Sequence, residues 1–261
     1  MIRRFAAVAL AAAMVACGPQ ASAQQPIQLT VYAAASLRSP LEVLAAAYAD
    51  VTPGITMTVS AGASSALRAQ IEQGAPADVF LSADTSNPAA LAEAALAAGE
   101  ATVIAGNRLA IVVPIRNPAA IATPADLGRA GVKIIAAGDA VPITRYATEL
   151  VARLAALEGT STGFAEAYAA NIVSREDDVK AVVAKIELGE GDAAIVYRTD
   201  ALASDAVNTI DIPPEADVTA SYAGVVVGAS AHQDEARAFL DWLNAPAAQA
   251  ILASFGFAPP P

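Results

Sequence analysis

VYAAASLRSPLEVLAAAY, residues 31–48, joins two different hydrophobic patterns within one short segment. Residues 27–32 mix β-branched and aromatic side chains, as a buried strand does. Further along, Leu41, Leu44 and Tyr48 recur with the spacing of one helical face. The segment therefore predicts a strand followed closely by a helix, which is the unit from which parallel α/β sheets are built.

The small residues between these two patterns predict a tight turn that carries Ser36. Ser39 is followed by Pro40, and serine is a preferred N-cap while proline suits the first helical position. We therefore expect the helix to begin at Pro40 with Ser39 as its N-cap. Ser36 would then lie at the edge of the sheet, where a small ligand can approach.

Strand-like and helix-like segments keep alternating through the rest of the chain. Strand patterns lie at 55–62, 77–84, 108–114, 132–139, 193–197 and 218–228. Helical patterns lie at 87–99, 142–157 and 234–257, and a further helical pattern begins at Ser65. Such alternation predicts βα units on largely parallel sheets flanked by helices. The length of 261 residues fits two α/β lobes.

A polar linker between two lobes is missing, so we expect extended segments of the chain to join them. The segments RLAIVVP and SYAGVVVG are long enough to leave one sheet and enter another. The predicted division is lobe one at 24–108 plus 224–261 and lobe two at 109–223. A ligand is expected in the cleft between the lobes.

The N-terminus has the features of a secretory signal peptide over residues 1–23. Two arginines precede the apolar stretch 5–16, which is too short for a membrane anchor, and the small-residue site ASA ends at Ala23. Cleavage there would leave Gln24 as the first residue of an exported protein. The alternative is lipidation at Cys17, because MVAC resembles an imperfect lipobox.

Charge and cysteine content exclude several classes of partner. The formal net charge is −11, with 15 basic residues scattered among 26 acids, which excludes a nucleic-acid backbone and an anionic membrane as partners. Cys17 is the single cysteine, so no disulfide forms within the chain. One histidine and no cysteine after residue 23 also argue against a zinc site, and no nucleotide-binding glycine motif follows a strand.

Four predicted helix starts carry residues that suit an anion, since free N–H groups and the helix dipole favour negative charge there. Ser36 and the pair Ser64 and Ser65 mark two of these starts. The third is the helix at Pro142, and the fourth follows Ser174 and Asp177, which are spaced as a capping box. Capping alone explains any single serine. Together, the four starts favour two lobes that close on one tetrahedral oxyanion.

An enzymatic alternative rests on GASSA, residues 62–66, a loose version of the nucleophile elbow of α/β hydrolases. Ser64 would be the nucleophile, and His232, the only histidine, would be its base. His232 stands among polar residues at a helix start, which favours a surface role. Tyr197 ends the apolar strand AAIVY, where it serves either the core or the edge of the cleft.

Several segments match a known family in order and spacing. VYAAASL, ASSALRAQIEQGAPADVFLSAD, AGNRLAIVVP, VPITRYATE, EDDVKAVVAKIELGEGDAAIVY and FLDWLNAPAAQAILASFGF resemble the periplasmic molybdate-binding proteins of bacterial ABC importers. The resemblance covers nearly all of the chain after the signal peptide. It implies a two-lobed type II periplasmic binding protein that holds molybdate or tungstate and passes it to a permease at the inner membrane.

The resemblance also implies the ligand contacts. The oxyanion would be held by the hydroxyls of Ser36, Ser64 and Tyr197 and by the backbone amides of Ile143 and Val179. It implies no catalysis, no cofactor and no metal bound directly by the protein, since molybdenum enters as its oxyanion, and we expect a monomer.

Two features leave the anion open among molybdate, tungstate, sulfate, a phosphonate and an organic acid. Ile143 stands where relatives usually have a small residue, and its bulk could change the size of the cavity. Four arginines lie near the predicted helix starts, and one that faced the cleft would favour a carboxylate ligand: Arg38, Arg68, Arg145 and Arg175.

Overall fold

The computed structural model describes residues 26–261, so the predicted signal peptide and Cys17 lie outside the described residues. The strands are β1 (Ile27–Ala34), β2 (Ile55–Gly62), β3 (Val79–Ser82), β4 (Thr102–Pro114), β5 (Ile134–Ala137), β6 (Ile172–Glu176), β7 (Ala194–Tyr197), β8 (Val207–Ile210) and β9 (Thr219–Val226). The helices are α1 (Arg38–Val51), α2 (Ser64–Glu72), α3 (Ser86–Glu93), α4 (Pro142–Ala155), α5 (Phe164–Ala170), α6 (Val179–Glu187), α7 (Arg198–Leu202), α8 (Gln233–Trp242) and α9 (Pro246–Ser254).

The first lobe is built on strands in the order β2-β1-β3-β9-β4. β1 pairs in parallel with β2 and β3, as the alternation of patterns predicts. Leu41, Leu44 and Tyr48 form the buried face of α1, and Tyr48 packs against Phe239 and Trp242 of α8. These contacts cover one face of the sheet with helices and leave the carboxyl ends of β1 and β2 at its edge.

The strand β4 joins the two lobes. It pairs with β9 as far as Arg108↔Thr219 and with β7 from Leu109↔Tyr197 onward. In the second lobe β5 and β6 are parallel, whereas β4 pairs antiparallel with β7, β8 and β9. The sheets are therefore mixed rather than largely parallel, because the strand that leaves a lobe and the strand that returns run in opposite directions. The lobe boundaries themselves stay a prediction.

The start of α1 differs from the prediction. A 3₁₀ turn at Ala35–Leu37 runs directly into the helix at Arg38, so Ser39 lies inside the first turn and is not its N-cap. Pro40 is the third residue of the helix, where the missing N–H removes no intrahelical bond. The helix begins early because Ser36 already belongs to the helical turn.

The capping box predicted at Ser174 and Asp177 is also wrong. Ser174 belongs to β6, which continues to Glu176 because it pairs with β5 there. Asp178 is the N-cap of α6 instead, and its Oδ1 accepts the Ala181 N–H at 2.9 Å. The helix therefore starts after both predicted capping residues.

The helix predicted at 87–99 is shorter in the structure. It ends at Glu93, and Ala95 adopts a positive φ of 58°. The chain then returns to the sheet, where the Ala98 N–H donates to the carbonyl of Val226. Pairing with β9 overrides the helix propensity of the alanine-rich run. None of the helices over residues 26–261 combines the length and apolar character that a membrane crossing requires.

Candidate functional site

A small cavity lies where the two lobes meet. Ser36 and Ser64 line it from the first lobe, and Pro142, Val179 and Tyr197 line it from the second. The structure thus brings together, around one cavity, elements that are separated by up to 161 positions in the sequence. Ile143 is the one predicted contact whose side chain lies elsewhere.

Ser36 lies in the 3₁₀ turn after β1 and is 4% exposed. Its Oγ is 2.8 Å from the hydroxyl oxygen of Tyr222 on β9. Small residues end β1 at Ala33 and Ala34 and begin the turn at Ala35, so the backbone can approach the cavity closely. A buried hydroxyl at this position is available as a donor to a small ligand.

Ser64 is the first residue of α2 and is 1% exposed. Its Oγ accepts the backbone N–H of Ala83 at 3.1 Å. Because the oxygen is already used as an acceptor, the hydroxyl hydrogen remains for the cavity. The N-cap Ala63 offers no side-chain oxygen to the helix, so the first N–H groups of α2 also lack a side-chain partner.

Val179 is the first residue of α6, and its side chain is buried. The N-cap Asp178 satisfies the N–H of Ala181, which leaves the Val179 N–H at the open end of the helix. The positive end of the helix dipole lies at the same place. This helix start can therefore stabilise an anion with a backbone donor.

The start of α4 is similar but has no side-chain cap. Val141 is the N-cap and Pro142 has no N–H, so Ile143 supplies the first backbone donor of the helix. The Ile143 side chain lines a different cavity, together with Thr144 and Tyr168. In a helix the backbone N–H points along the helix axis, whereas the side chain points away from that axis. The bulk of the Ile143 side chain therefore does not set the size of the inter-lobe cavity.

Tyr197 ends β7 and its side chain is 1% exposed. Its hydroxyl has no hydrogen-bond partner among the described residues. Burial, reinforced by the nearby Tyr222 and Tyr146, raises the pKa of this phenol well above its usual range. The phenol therefore keeps its proton and presents an unused donor to the cavity.

The four arginines near the helix starts do not line the cavity. Each has another partner: Arg38 donates to the Ala61 carbonyl at 2.9 Å, Arg68 lies 3.5 Å from Glu72, Arg145 lies 4.7 Å above the Tyr146 ring, and Arg175 lies 2.9 Å from Asp139. Nothing in the described cavity wall provides the bidentate cation that favours a carboxylate. The donors at the cavity are hydroxyl and backbone groups.

Sequence reasoning missed a polar chain behind Ser36. Tyr222 is fully buried and contacts Asn107 as well as Ser36, and Asn107 also contacts Thr199. The pair Lys180 and Asp200 was missed too, although Lys180 Nζ lies 2.9 Å from the buried carboxylate. Tyr222 and Asn107 meet partners that lie 186 and 92 positions away in the sequence, so no local pattern distinguishes them.

Ser64 and His232 do not form the triad that the hydrolase alternative requires. Ser64 accepts a backbone amide, and His232 forms the N-cap of α8, where its own N–H donates to Ser230 Oγ at 3.0 Å. No hydrogen bond joins Ser64 and His232. Within residues 26–261 no group of histidine, cysteine and acidic side chains is arranged to hold a metal ion.

Comparison with known proteins identifies similar chains. Residues 29–258 match the family of bacterial extracellular solute-binding proteins. The chain is 34% identical over 259 residues to the molybdate-binding protein ModA of Mycobacterium tuberculosis. The alignment covers 96% of this chain and 95% of that protein. A Bacillus subtilis relative whose name includes ABC transporter substrate-binding lipoprotein is 29% identical over 237 residues, covering 90% and 87% of the two chains.

Among solved structures, the periplasmic molybdate-binding protein of Azotobacter vinelandii superimposes with a TM-score of 0.74. The two chains are 25% identical, and the match covers 89% of this chain and all of that one. The predicted two-lobed α/β architecture is therefore confirmed.

Proposed function

Because this chain belongs to the family of bacterial extracellular solute-binding proteins, we propose that it captures molybdate or tungstate in the inter-lobe cavity. The protein then delivers the oxyanion to the permease of an ABC importer. Relatives at 34% and 31% identity that carry the name molybdate-binding protein support this assignment. The role is binding and transport, without catalysis.

The observation that carries the proposal is the convergence of neutral donors from both lobes on one cavity without an arginine. The hydroxyls of Ser36, Ser64 and Tyr197 and the first N–H groups of α4 and α6 form this set. Preorganised neutral donors in a dry site stabilise a dianion with little reorganisation. A ligand that contacts both lobes stabilises their closed arrangement.

The alternative ligand is another small anion. A tetrahedral sulfate or phosphonate would use the same donors, and only the size of the cavity would separate it from molybdate. An organic acid is disfavoured because none of the four nearby arginines lines the cavity.

We place the protein in the periplasm, consistent with a family of extracellular proteins. Cleavage after Ala23 would release it as a soluble monomer. Lipidation at Cys17 would instead tether it to a membrane, and the lipoprotein name of the Bacillus subtilis relative supports that alternative.

Isothermal titration of the chain that starts at Gln24 tests this proposal. After removal of any copurified anion, molybdate, tungstate and sulfate are titrated in parallel. We expect tight binding of the first two and none of sulfate. Absence of binding for all three, in a protein whose circular dichroism is that of a folded α/β chain, would contradict the proposed ligand.

Replacement of Tyr197 by phenylalanine is expected to weaken molybdate binding by about 1.5–3 kcal/mol, the contribution of a hydrogen bond to a charged group. Thermal stability is expected to stay the same or rise, because the hydroxyl has no protein partner among the described residues. Titration and thermal unfolding of the variant measure the two effects.

The matched control is Tyr48→Phe, which removes a hydroxyl from a buried tyrosine of α1 that packs on Phe239 and Trp242. This control is expected to bind molybdate as the unchanged protein does. Equal affinity in Tyr197→Phe and the control would return Tyr197 to a purely structural role.

A further inference from the structure

A chain of buried polar groups reaches the cavity from the strands that join the two lobes. The Tyr222 hydroxyl lies 2.8 Å from Ser36 Oγ and 3.4 Å from Asn107 Nδ2. The same Nδ2 lies 2.9 Å from Thr199 Oγ1. These four side chains are all at most 6% exposed, so solvent does not compete for their hydrogen bonds.

The chemistry of Asn107 determines the direction of the chain. Its Nδ2 carries two hydrogens and no acceptor, so it donates one to Thr199 and the other to the Tyr222 oxygen. Ser36 Oγ is then the one acceptor left for the Tyr222 proton among these contacts. Because Ser36 accepts that proton, its own hydroxyl hydrogen is left to donate to a further acceptor.

Burial keeps Tyr222 in the form that this direction requires. Desolvation is the largest influence on Tyr222 and raises its pKa well above the usual range, and the carboxylate of Asp200 acts in the same sense. The phenol therefore stays protonated throughout the physiological range. Its ring packs edge-on against Tyr197 at 5.5 Å and Phe257 at 5.2 Å, which fixes the position of the hydroxyl.

We propose that Tyr222 is a positioning residue for oxyanion capture, which holds the Ser36 hydroxyl in the orientation that donates into the cavity. The inference rests on the proposed function. Tyr222 does not line the cavity, so its effect on the ligand is transmitted through Ser36. Without the phenolic proton, the Ser36 hydroxyl rotates among several orientations, and part of its binding energy is lost in reorienting it.

The chain of polar groups also connects the cavity to the region where β4 passes from one lobe to the other. Asn107 lies on β4 opposite Ala220, one residue before Arg108, where β4 ends its pairing with β9. Thr199 lies on α7 in the second lobe. The orientation of the Ser36 hydroxyl therefore depends on groups from both lobes. It is fixed only when β4 and β9 are correctly placed.

A double-mutant cycle with Tyr222→Phe and Ser36→Ala tests this inference, with molybdate as the probe and titration of the chain that starts at Gln24 as the measurement. Phenylalanine keeps the packed ring and removes only the hydroxyl. We expect Tyr222→Phe to raise the Kd about 5- to 20-fold in the unchanged background. In the Ser36→Ala background we expect a change of less than about twofold, because the hydroxyl that Tyr222 orients is then absent.

A purely structural role for Tyr222 would instead give the same fold-change in both backgrounds, and that result would overturn the inference. An unchanged Kd in Tyr222→Phe alone would overturn it as well. Tyr168→Phe, a buried tyrosine that lines the other cavity, is the control and is expected to leave the Kd unchanged.

A replacement variant and the Kd of the unchanged protein complete the test. If Tyr222→Phe does not fold, Asn107→Asp replaces it in the cycle, since a carboxylate draws the Tyr222 proton away from Ser36; additivity with Ser36→Ala would again overturn the inference. If the unchanged protein does not bind molybdate, the proposed function and this inference fail together. Binding by the unchanged protein with an additive cycle removes this inference alone.

Discussion

Simultaneous replacement of Ser36 and Ser64 by alanine is expected to raise the Kd for molybdate at least about 30-fold. Each serine contributes a hydrogen bond to a buried anion, and loss of such a partner costs about 1–3 kcal/mol. The two hydroxyls come from different turns of the first lobe, so their losses are expected to be close to additive. Each single variant is expected to show its share of the effect in the same titration.

Both single variants are expected to lose stability, because Ser36→Ala likewise removes the partner of the buried Tyr222 hydroxyl. Ser64→Ala removes the partner of the buried Ala83 N–H, which costs about 1–3 kcal/mol of folding free energy. Thermal unfolding measures these losses. The matched controls are Ser39→Ala and Ser65→Ala, whose side chains do not line the cavity. Unchanged affinity in both Ser36→Ala and Ser64→Ala would mean that the anion binds elsewhere.

Substitution of Val179 by proline is expected to raise the Kd about 10- to 100-fold, because it removes a backbone donor to a charged group. The helix itself tolerates the change, since proline is favoured at the first helical position. Asp178 has φ −153° and ψ 173°, the extended conformation that suits a residue before proline. Proline removes the backbone N–H of residue 179, which every other substitution leaves in place.

Val179→Ala is the matched control for this substitution. It shortens the buried side chain and keeps the N–H, so its Kd is expected to stay close to that of the unchanged protein. Titration of both variants, with circular dichroism to verify the helix, separates the donor from the packing. Equal Kd values in the two variants would show that the start of α6 does not contact the anion.

Local patterns predict the first-lobe part of the site well. The strand and helix periodicities on either side of AAAS and GASS place Ser36 and Ser64 in strand-to-helix turns, and the structure has both there. The boundaries are less predictable. Asp178 rather than Ser174 caps α6 because β6 extends to pair with β5, and such pairing depends on residues far away in the sequence.

Contacts between residues that lie far apart in the sequence could not be predicted from local patterns. Tyr222 reaches Ser36 across 186 positions, and only the register of β9 against β3 and β4 brings it there. The Ile143 side chain points to a different cavity because of the direction of α4. The five-donor arrangement itself came from the resemblance to a known family, and the residues alone supported an oxyanion without naming it.

The central claim is that one oxyanion is held between the serine turns of the first lobe and the helix starts of the second. Crystals grown with molybdate and measured at the molybdenum absorption edge locate the metal directly by anomalous scattering. We expect a single peak between Ser36, Ser64 and Val179, with an anion oxygen about 2.7–3.0 Å from the Tyr197 hydroxyl. A peak outside this cavity, or an empty cavity in crystals of protein that binds molybdate in solution, would contradict the account.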